Sequence, residues 1–199
     1  MTRTVLLAAA AMALPLAAQA EPAAFKMDPS HSTIHARWTH TAGTPLLIAF
    51  PVYESEISFD PDNIADSSVT VTVETAEAWT GSELWDDHLT GDERPLLRSA
   101  EYPTATFTST EIVPTGEDTA TMTGDLTIKD MTHPVSFDVE MKGQAQGRDG
   151  ERIYGFLATT TVDRTQFGLD MAADMMGSDL VIEISSEIVE QLPEEAAAE

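Results

Sequence analysis

The sequence predicts an all-β protein in which many short antiparallel strands form a sandwich or a barrel, with a short helical insertion. Three observations carry this prediction. Apolar and polar residues alternate with a period of two in segments spread along most of the 199 residues. Valine and threonine, which favour strands, are frequent in these segments. Turn sequences separate the segments at even spacing, which is typical of sandwiches and barrels.

Four segments show the alternation most clearly and are predicted to be strands: residues 34–39, 69–74, 135–141 and 180–189. Weaker patterns predict five further strands at residues 46–52, 53–59, 104–111, 120–128 and 153–161. Because residues two apart on a strand share a face, each segment offers one apolar face to a core. Turn sequences lie between them at residues 61–63, 114–118 and 147–150.

One segment interrupts the strand pattern. Ser82 is predicted to cap a short helix over residues 84–89, with the acidic Glu83 in its first turn. Residues 94–99 are predicted to form a second short helix. The sequence therefore places a helical insertion between two strands of the sheet.

The first twenty residues are predicted to be a secretory signal peptide. Arg3 precedes an apolar run over residues 5–18, which ends at the small-x-small sequence Ala18-Gln19-Ala20. The run is shorter than the ~20 residues that a membrane-spanning helix needs. We therefore expect cleavage after Ala20 and export, most simply to a bacterial periplasm.

The rest of the chain is predicted to be one domain over residues 21–191, followed by an acidic, disordered tail over residues 192–199. No segment after the signal peptide is apolar enough to span a bilayer. We therefore expect no stable membrane insertion.

The composition excludes several classes of function. Ten lysine and arginine residues face 34 aspartate and glutamate residues, so the formal net charge is −24. Nucleic-acid binding and docking on anionic lipid surfaces both need clusters of basic residues. The chain has no cysteine, which excludes a disulfide scaffold, a thiolate nucleophile, an iron–sulfur cluster and a cysteine-ligated zinc site.

Sequence patterns typical of enzymes are absent: the chain has no Gly-rich phosphate loop, no G-x-S-x-G elbow and no His-Glu-x-x-His sequence. We therefore expect no catalytic residues, no metal and no cofactor. The alternative is a hydrolase or isomerase that uses Asp86, Asp87 and His88, or a metal bound by His31 and His40. His31 and His35 cannot share an ion on a regular strand, because residues four apart lie ~13 Å from each other there.

Three methionines, Met171, Met175 and Met176, lie close together in the sequence. Thioethers are soft ligands, so a copper(I) site is one interpretation. Adaptable packing at a barrel mouth is the favoured one.

Aromatic residues fall on or beside the predicted strands throughout the chain. Such residues either fill the core of a barrel or line a cavity within it. An eight-stranded barrel has the size for both arrangements, and the alternation does not separate them.

The chain resembles the YceI family in a set of motifs that follow the family's order. The most specific is Tyr102-Pro103-Thr104-Ala105-Thr106-Phe107-Thr108-Ser109-Thr110. Arg164-Thr165-Gln166-Phe167-Gly168 is similar to a late Arg-x-x-Phe-Gly signature. Further similar segments are residues 25–34, 38–43, 50–61, 87–89 and 124–135. Together the motifs cover nearly all of residues 25–190.

The resemblance implies a lipocalin-like antiparallel β-barrel of about eight strands with a helical insertion. It also implies an elongated apolar cavity that holds a polyisoprenoid, such as a prenylquinone precursor or a polyprenyl phosphate. The expected function is therefore that of a periplasmic carrier whose bound lipid is its ligand. A homodimer is compatible with the family.

Two groups of candidate binding residues follow. The apolar lining of the barrel is predicted to include Ile34, Trp38, Phe50, Val71, Phe107, Phe137, Phe156 and Ile182. A polar or aromatic rim that contacts the lipid head group is predicted to include His31, His40, Trp85, Asp163 and Arg164. The choice of lining residues depends on strand register, because a slip of one residue reverses every side chain.

Overall fold

The structure is a computed structural model that describes residues 22–91 and 95–193. The predicted signal peptide, residues 1–20, lies outside the described residues, as do residues 194–199 of the predicted tail.

Ten strands form one antiparallel sheet in this part of the chain: β1 (Ala23–Met27), β2 (Thr33–Thr39), β3 (Pro45–Ala49), β4 (Tyr53–Phe59), β5 (Ser68–Glu74), β6 (Thr104–Pro114), β7 (Thr119–Ile128), β8 (Met131–Gln146), β9 (Arg152–Asp163) and β10 (Asp179–Glu190). Helix α1 (Glu83–Thr90) lies between β5 and β6, and the single-turn helix α2 (Ala173–Met176) lies between β9 and β10. Short 3₁₀ helices cover Ile64–Asp66, Thr75–Glu77 and Arg164–Phe167. Within the described ranges, no helix has the length and apolarity to cross a membrane.

The ten strands close into an eight-stranded barrel. β1 and β2 follow one another along the same edge of β10, where Met27 lies opposite Ile188 and Thr33 lies opposite Ser185. β4 pairs with β1 and β3 pairs with β2. β1 and β2 therefore form one interrupted strand of the barrel, and β3 and β4 form the next. From β4 onward each strand pairs with the next, and β10 closes the sheet on β1 and β2. This confirms the predicted all-β, lipocalin-like antiparallel barrel with a helical insertion.

The two ends of the barrel differ. One end, the capped end, carries the turn at residues 40–44, the insertion at residues 75–103 and the loop at residues 164–178. The other end, the far end, carries the connections after β4, β6 and β8. Because the strands are antiparallel neighbours, this division follows from the strand order alone.

A kink between β1 and β2 interrupts the first barrel strand. The Ser32 hydroxyl donates to Ser186 Oγ (3.2 Å) and accepts a hydrogen bond from the Glu187 N–H (3.2 Å). Beside it, His31 Nδ1 lies 2.7 Å from Asp28 Oδ2 and 3.9 Å from Glu187 Oε2. These side chains tie the kink to β10 where the regular strand pairing is interrupted.

The barrel wall has a seam at the capped end, along the edge of β3 that faces away from β2. Among the described residues this edge makes one isolated bridge, between Ala49 and Trp79, and no ladder with β5. The Ala49 N–H donates to the Trp79 carbonyl (2.8 Å), and the Trp79 N–H donates to the Ala49 carbonyl (2.9 Å). The insertion that carries Trp79 therefore takes the place of a strand at this point.

The insertion contains α1 and a strap, residues 95–99, that folds back on the helix. The N–H groups of Leu96 and Leu97 donate to carbonyls in the last turn of α1 (3.0 and 2.9 Å), which that helix end leaves free. The predicted second helix, residues 94–99, is wrong over this described strap, which contains no helix. The strap does not form a helix because its amide groups at Leu96 and Leu97 bond to α1 and not to one another. In addition, Arg98 has a left-handed backbone conformation, with φ of 53°.

Ser82 precedes α1, as predicted, but its side chain makes no capping hydrogen bond. Instead, Asp86 Oδ1 accepts hydrogen bonds from the Thr80 N–H and the Thr80 hydroxyl, both at 2.7 Å. A carboxylate in the first turn of the helix therefore fixes the chain that enters it.

The inward side chains form two apolar clusters, one toward each end of the barrel. β7 shows the pattern, since its alternate residues Ala120, Met122, Leu126 and Ile128 are buried. Gly124 lies on the same face, against the ring of Phe107. The absence of a side chain at this position leaves room for that ring.

We expect the substitution Gly124→Ala to destabilise the barrel. A Cβ at this position would lie 2.4 Å from the Thr108 carbonyl oxygen and 2.5 Å from a ring carbon of Phe107. Such overpacking costs about 1–3 kcal/mol in the free energy of unfolding, which chemical denaturation measures. Gly155→Ala is the matched control, because its Cβ would have no neighbour closer than 3.9 Å. Equal stability of the two variants would contradict the packing described for Phe107.

The His31–Asp28 pair makes the kink sensitive to pH. The hydrogen bond to Asp28 raises the pKa of His31 above its ordinary 6.5, and the same bond lowers the pKa of Asp28 below its ordinary 3.8. The contribution of His31 to the stability of the folded state is fully present below pH 6.5 and is lost as the pH rises through its raised pKa. The stabilisation from Asp28 is complete above its ordinary pKa and is lost as the pH falls through the lowered one.

We therefore expect Asp28→Asn to lower the pKa of His31 toward 6.5 in an NMR titration of its ring protons. Glu187→Gln is the control, since Glu187 lies farther from Nδ1 and should have the smaller effect. An unchanged His31 pKa in Asp28→Asn would show that the pair does not form in solution.

Candidate functional site

An apolar cavity of about 120 Å³ occupies the capped half of the barrel. Strands β2, β3, β5, β6, β7, β8 and β10 contribute inward side chains to it, and the insertion closes it with Leu89, Leu96 and Leu97. Three of its lining residues are polar: His35, Thr75 and Thr106. We call this space the inner cavity.

A second apolar cavity of about 130 Å³, the outer cavity, occupies the half of the barrel toward the far end. It shares four lining residues with the inner cavity, so the two lie in series along the barrel axis: Val69, Val71, Met122 and Ile184. Serines 67 and 186 are its only polar lining residues in the described part of the chain. An apolar cavity of roughly 150 Å³ holds a molecule the size of benzene. Each of these two spaces is somewhat smaller and can hold a short segment of an apolar chain.

A groove of about 350 Å³ at the far end continues the series. It shares lining residues with the outer cavity, among them Phe59, Ala120 and Phe156. Its other lining includes three acidic residues, Asp62, Glu117 and Asp118. The apolar interior therefore gives way to an acidic mouth at this end.

The eight residues predicted to line an apolar cavity all contribute to these walls. Phe156 lines the outer cavity, Val71 lines both, and the inner cavity takes the remaining six: Ile34, Trp38, Phe50, Phe107, Phe137 and Ile182. The faces that the alternation assigns to the barrel interior are thus the faces that line the cavities in the structure. That these residues bind a ligand stays a prediction.

Sequence reasoning missed the residues that close the inner cavity at the capped end. Leu89, Leu96 and Leu97 are buried there, together with Leu169 from the loop before β10. A signal was available, because Leu96-Leu97 is an apolar pair in an otherwise polar stretch. No periodicity marked it as facing the barrel.

Two of the five predicted rim residues meet at the capped end. The rings of His40 and Trp85 lie 5.5 Å apart between centroids, in an edge-to-face arrangement. Trp85 makes a similar contact with His88 at 5.3 Å. Neither His40 nor Trp85 lines either apolar cavity among the described residues.

His31 lies apart from this group, at the kink between β1 and β2, and so at neither end of the barrel. The prediction of His31 as a rim residue did not anticipate that the segment between β1 and β2 is a kink within one barrel strand. His31, Asp28 and Glu187 hold their candidate ligand atoms within 4.8 Å of one another. The structure thus groups His31 with two carboxylates, and neither His35 nor His40 belongs to that cluster.

Arg164 and Asp163 have structural contacts where a rim contact was predicted. The Arg164 side chain is fully buried and donates to the carbonyls of Gly177 (3.1 Å), Met171 (3.1 Å) and Leu169. These bonds hold the loop between β9 and β10 in place. Asp163 Oδ1 accepts from the N–H (2.9 Å) and hydroxyl (2.6 Å) of Thr165, which caps the 3₁₀ helix.

The guanidinium of Arg164 lies over the ring of Trp38, 5.3 Å from its centroid. Burial lowers the pKa of Arg164, because desolvation disfavours the charged form. Trp38 is only 4% exposed, and its Nε1 has no hydrogen-bond acceptor. Tyr53 Oη and Ser99 Oγ are also buried without a partner, but neither residue lines the inner or the outer cavity in the described part.

The residues of the enzyme alternative do not form a cluster within the barrel. Asp86 is engaged with Thr80, while Asp87 and His88 are exposed on α1. No hydrogen bond joins these three side chains among the described residues. The methionines also separate, since Met176 is buried, Met171 packs against the core and Met175 is 66% exposed.

Comparison with known proteins connects this architecture to a family. The sequence matches the YceI-like domain over residues 25–188. A UPF0312 protein of Vibrio parahaemolyticus is 31% identical over 180 residues, which are 90% of this chain and 92% of that protein. A UPF0312 protein of Vibrio cholerae is 32% identical over 163 residues, 82% of this chain and 85% of that protein.

Solved structures share the fold. The YceI protein of Campylobacter jejuni has a TM-score of 0.69 and 26% identity, and the match covers 75% of this chain and 87% of that one. BcnA of Burkholderia cenocepacia has a TM-score of 0.69 and 23% identity, covering 83% and 99%. A domain from Saccharophagus degradans, described as a polyisoprenoid binding domain implicated in plant cell wall breakdown, has a TM-score of 0.59 and 12% identity, covering 85% and 99%. On the extent of the domain match and the identity to its relatives, this chain belongs to the YceI-like family.

Proposed function

We propose that this protein binds a polyisoprenoid lipid in its barrel and serves as a periplasmic carrier or reservoir for it. The observation that supports this most directly is the series of two apolar cavities and a polar mouth along the barrel axis. An elongated apolar chain matches such a series, whereas a compact polar metabolite does not.

The energetics favour an apolar ligand. Each buried CH₂ group of a lipid tail contributes about 0.8 kcal/mol of transfer free energy. A few isoprene units therefore supply several kcal/mol before the costs of association and ordering are subtracted. No charged side chain is needed in the wall for this gain, and the described residues that line the two cavities include no aspartate, glutamate, lysine or arginine.

The family adds support of a different kind. One protein of the same fold is described as a polyisoprenoid binding domain. The periplasmic location rests on the sequence of residues 1–20 alone, which has the charge, apolar run and small-x-small end of a signal peptide.

Extraction of the purified protein tests the proposal. We expect an organic-solvent extract to contain a prenyl lipid by mass spectrometry, and the stripped protein to bind added prenylquinone. An extract that repeatedly contains no prenyl lipid, together with no binding of the added compound, would refute the proposed function.

A variant that fills the junction between the cavities should block binding. Val69 lines both cavities, so Val69→Phe is expected to weaken prenylquinone binding at least tenfold, because the added ring occupies the space of the tail. Val113→Phe is the matched control, since Val113 is exposed on β6. Fluorescence titration measures binding, and thermal unfolding checks that both variants fold. Unchanged binding in a folded Val69→Phe would place the ligand elsewhere.

A further inference from the structure

The kink between β1 and β2 brings together three side chains that can ligate a metal ion. His31 Nδ1 lies 2.7 Å from Asp28 Oδ2 and 3.9 Å from Glu187 Oε2, and the ligand atoms of all three residues lie within 4.8 Å of one another. None of these residues lines the inner or the outer cavity. Lipid binding in the barrel therefore gives this cluster no role.

The charges of the cluster do not balance. Two carboxylates repel each other at this separation, and the one imidazole is positive only when it is protonated. Among the described residues, no lysine or arginine forms an ion pair with Asp28 or Glu187. In the same part of the chain, the hydrogen bonds of Glu187 come from its main chain, and its carboxylate contacts His31. A divalent cation would neutralise both carboxylates.

Hydrogen bonds already hold the three residues in place. The Asp28 N–H donates to the Glu187 carbonyl (2.8 Å), and the His31 N–H donates to the Asp28 carbonyl (3.1 Å). The other carboxylate oxygen of Asp28, Oδ1, accepts a hydrogen bond from the Ser30 N–H (2.8 Å). Hydrogen bonds of this kind orient the carboxylates that ligate metal ions in proteins. Oδ2 is the Asp28 oxygen that faces His31.

The distances suit a tetrahedral ion after small side-chain rotations. With metal–ligand bonds of about 2.0–2.2 Å, neighbouring ligand atoms lie about 3.3 Å apart. The Nδ1–Oδ2 distance must therefore widen by about 0.6 Å, and the Nδ1–Oε2 distance must shorten by about 0.6 Å. The side chains of His31 and Glu187 are 62% and 47% exposed, so both have room to rotate. Water can supply a fourth ligand from the solvent side.

The imidazole determines which kind of ion fits. Imidazole nitrogen suits zinc, copper, iron and nickel, whereas Mg²⁺ and Ca²⁺ prefer oxygen ligands alone. The same nitrogen distinguishes this cluster from carboxylates that merely share a surface. With a net charge of −24 the chain attracts cations of every kind, so selectivity between cations is the criterion for a site.

We propose that Asp28, His31 and Glu187 bind a divalent transition-metal ion such as Zn²⁺, through His31 Nδ1 and one oxygen of each carboxylate. The ion cross-links the kink to β10, at the point where β10 changes its partner from β1 to β2. Its role is structural, because it stabilises the closure of the barrel. This inference departs from the sequence-based expectation of no metal and does not depend on the proposed lipid function.

Calorimetric titration tests the site on the full-length protein, purified without a histidine tag and stripped with a chelator. We expect one Zn²⁺ per chain, bound about tenfold or more tighter than Mg²⁺. Asp28→Asn and Glu187→Gln should each weaken Zn²⁺ binding about tenfold or more, because each removes an anionic ligand. Glu183→Gln is the matched control, since Glu183 is exposed on the same strand and lies outside the cluster. It should change the affinity less than about twofold.

Two further measurements locate the ion. Zn²⁺ at 100 times its dissociation constant should raise the midpoint of thermal unfolding by about 5 °C or more, and Asp28→Asn should abolish this increase. In NMR spectra, Zn²⁺ should shift the ring protons of His31 and leave those of His88, which is exposed on α1, in place.

Several outcomes would overturn the site. Folded Asp28→Asn and Glu187→Gln variants that bind Zn²⁺ as tightly as the unsubstituted protein would place the ion elsewhere. A loss in Glu183→Gln as large as theirs would show attraction by surface charge alone. Failure of Zn²⁺ to bind, equal affinity for Mg²⁺, or unmoved His31 ring protons would each exclude the proposed ligands. The proposed lipid function would stand in every one of these cases.

Discussion

The molecule depends on the pairing of β10 with β9 along one edge and with both halves of the first barrel strand along the other. This pairing turns an antiparallel meander into a closed barrel in which neighbouring strands pair most of the main-chain groups. Among the described residues, the outer edge of β3 makes only the Ala49–Trp79 bridge. Closure also sets the interior, because the diameter of a barrel follows from its number of strands. Eight strands enclose a space that side chains can fill or that a small ligand can share.

Small residues on the inward faces explain why this barrel retains space. Ala36 and Ala105 line the inner cavity, and Ala120 and Ala158 line the outer one. The large rings lie beside them, as in the edge-to-face pair of Phe107 and Phe137 at 5.1 Å. A barrel with leucine or phenylalanine at those alanine positions would have less free volume and would be closer to a packed core. The hollow interior is thus a property of particular side chains and not of the fold alone.

The strands and the cavity walls were predictable because period-two alternation is a local signal that determines which face points inward. All nine predicted strands occur, and the tenth, β1, was missed because its alternation covers only Phe25-Lys26-Met27, which is too short to stand out. The rim was less predictable, since it is built from loops. The direction of Arg164 depends on carbonyls up to thirteen residues away, and the position of His31 depends on a kink pinned to β10. Neither long-range contact leaves a pattern in the sequence.

Because of the seam beside β3, the number of main-chain hydrogen bonds between neighbouring segments is not the same all around the barrel wall. Elsewhere around the wall, separating two neighbours means breaking a ladder of main-chain hydrogen bonds. At the seam the Ala49–Trp79 bridge contributes two, and the side chains of the insertion supply the remaining contact. In the proposed function, a ligand that leaves sideways would break the fewest main-chain hydrogen bonds at this seam, and its route need not pass through the acidic mouth.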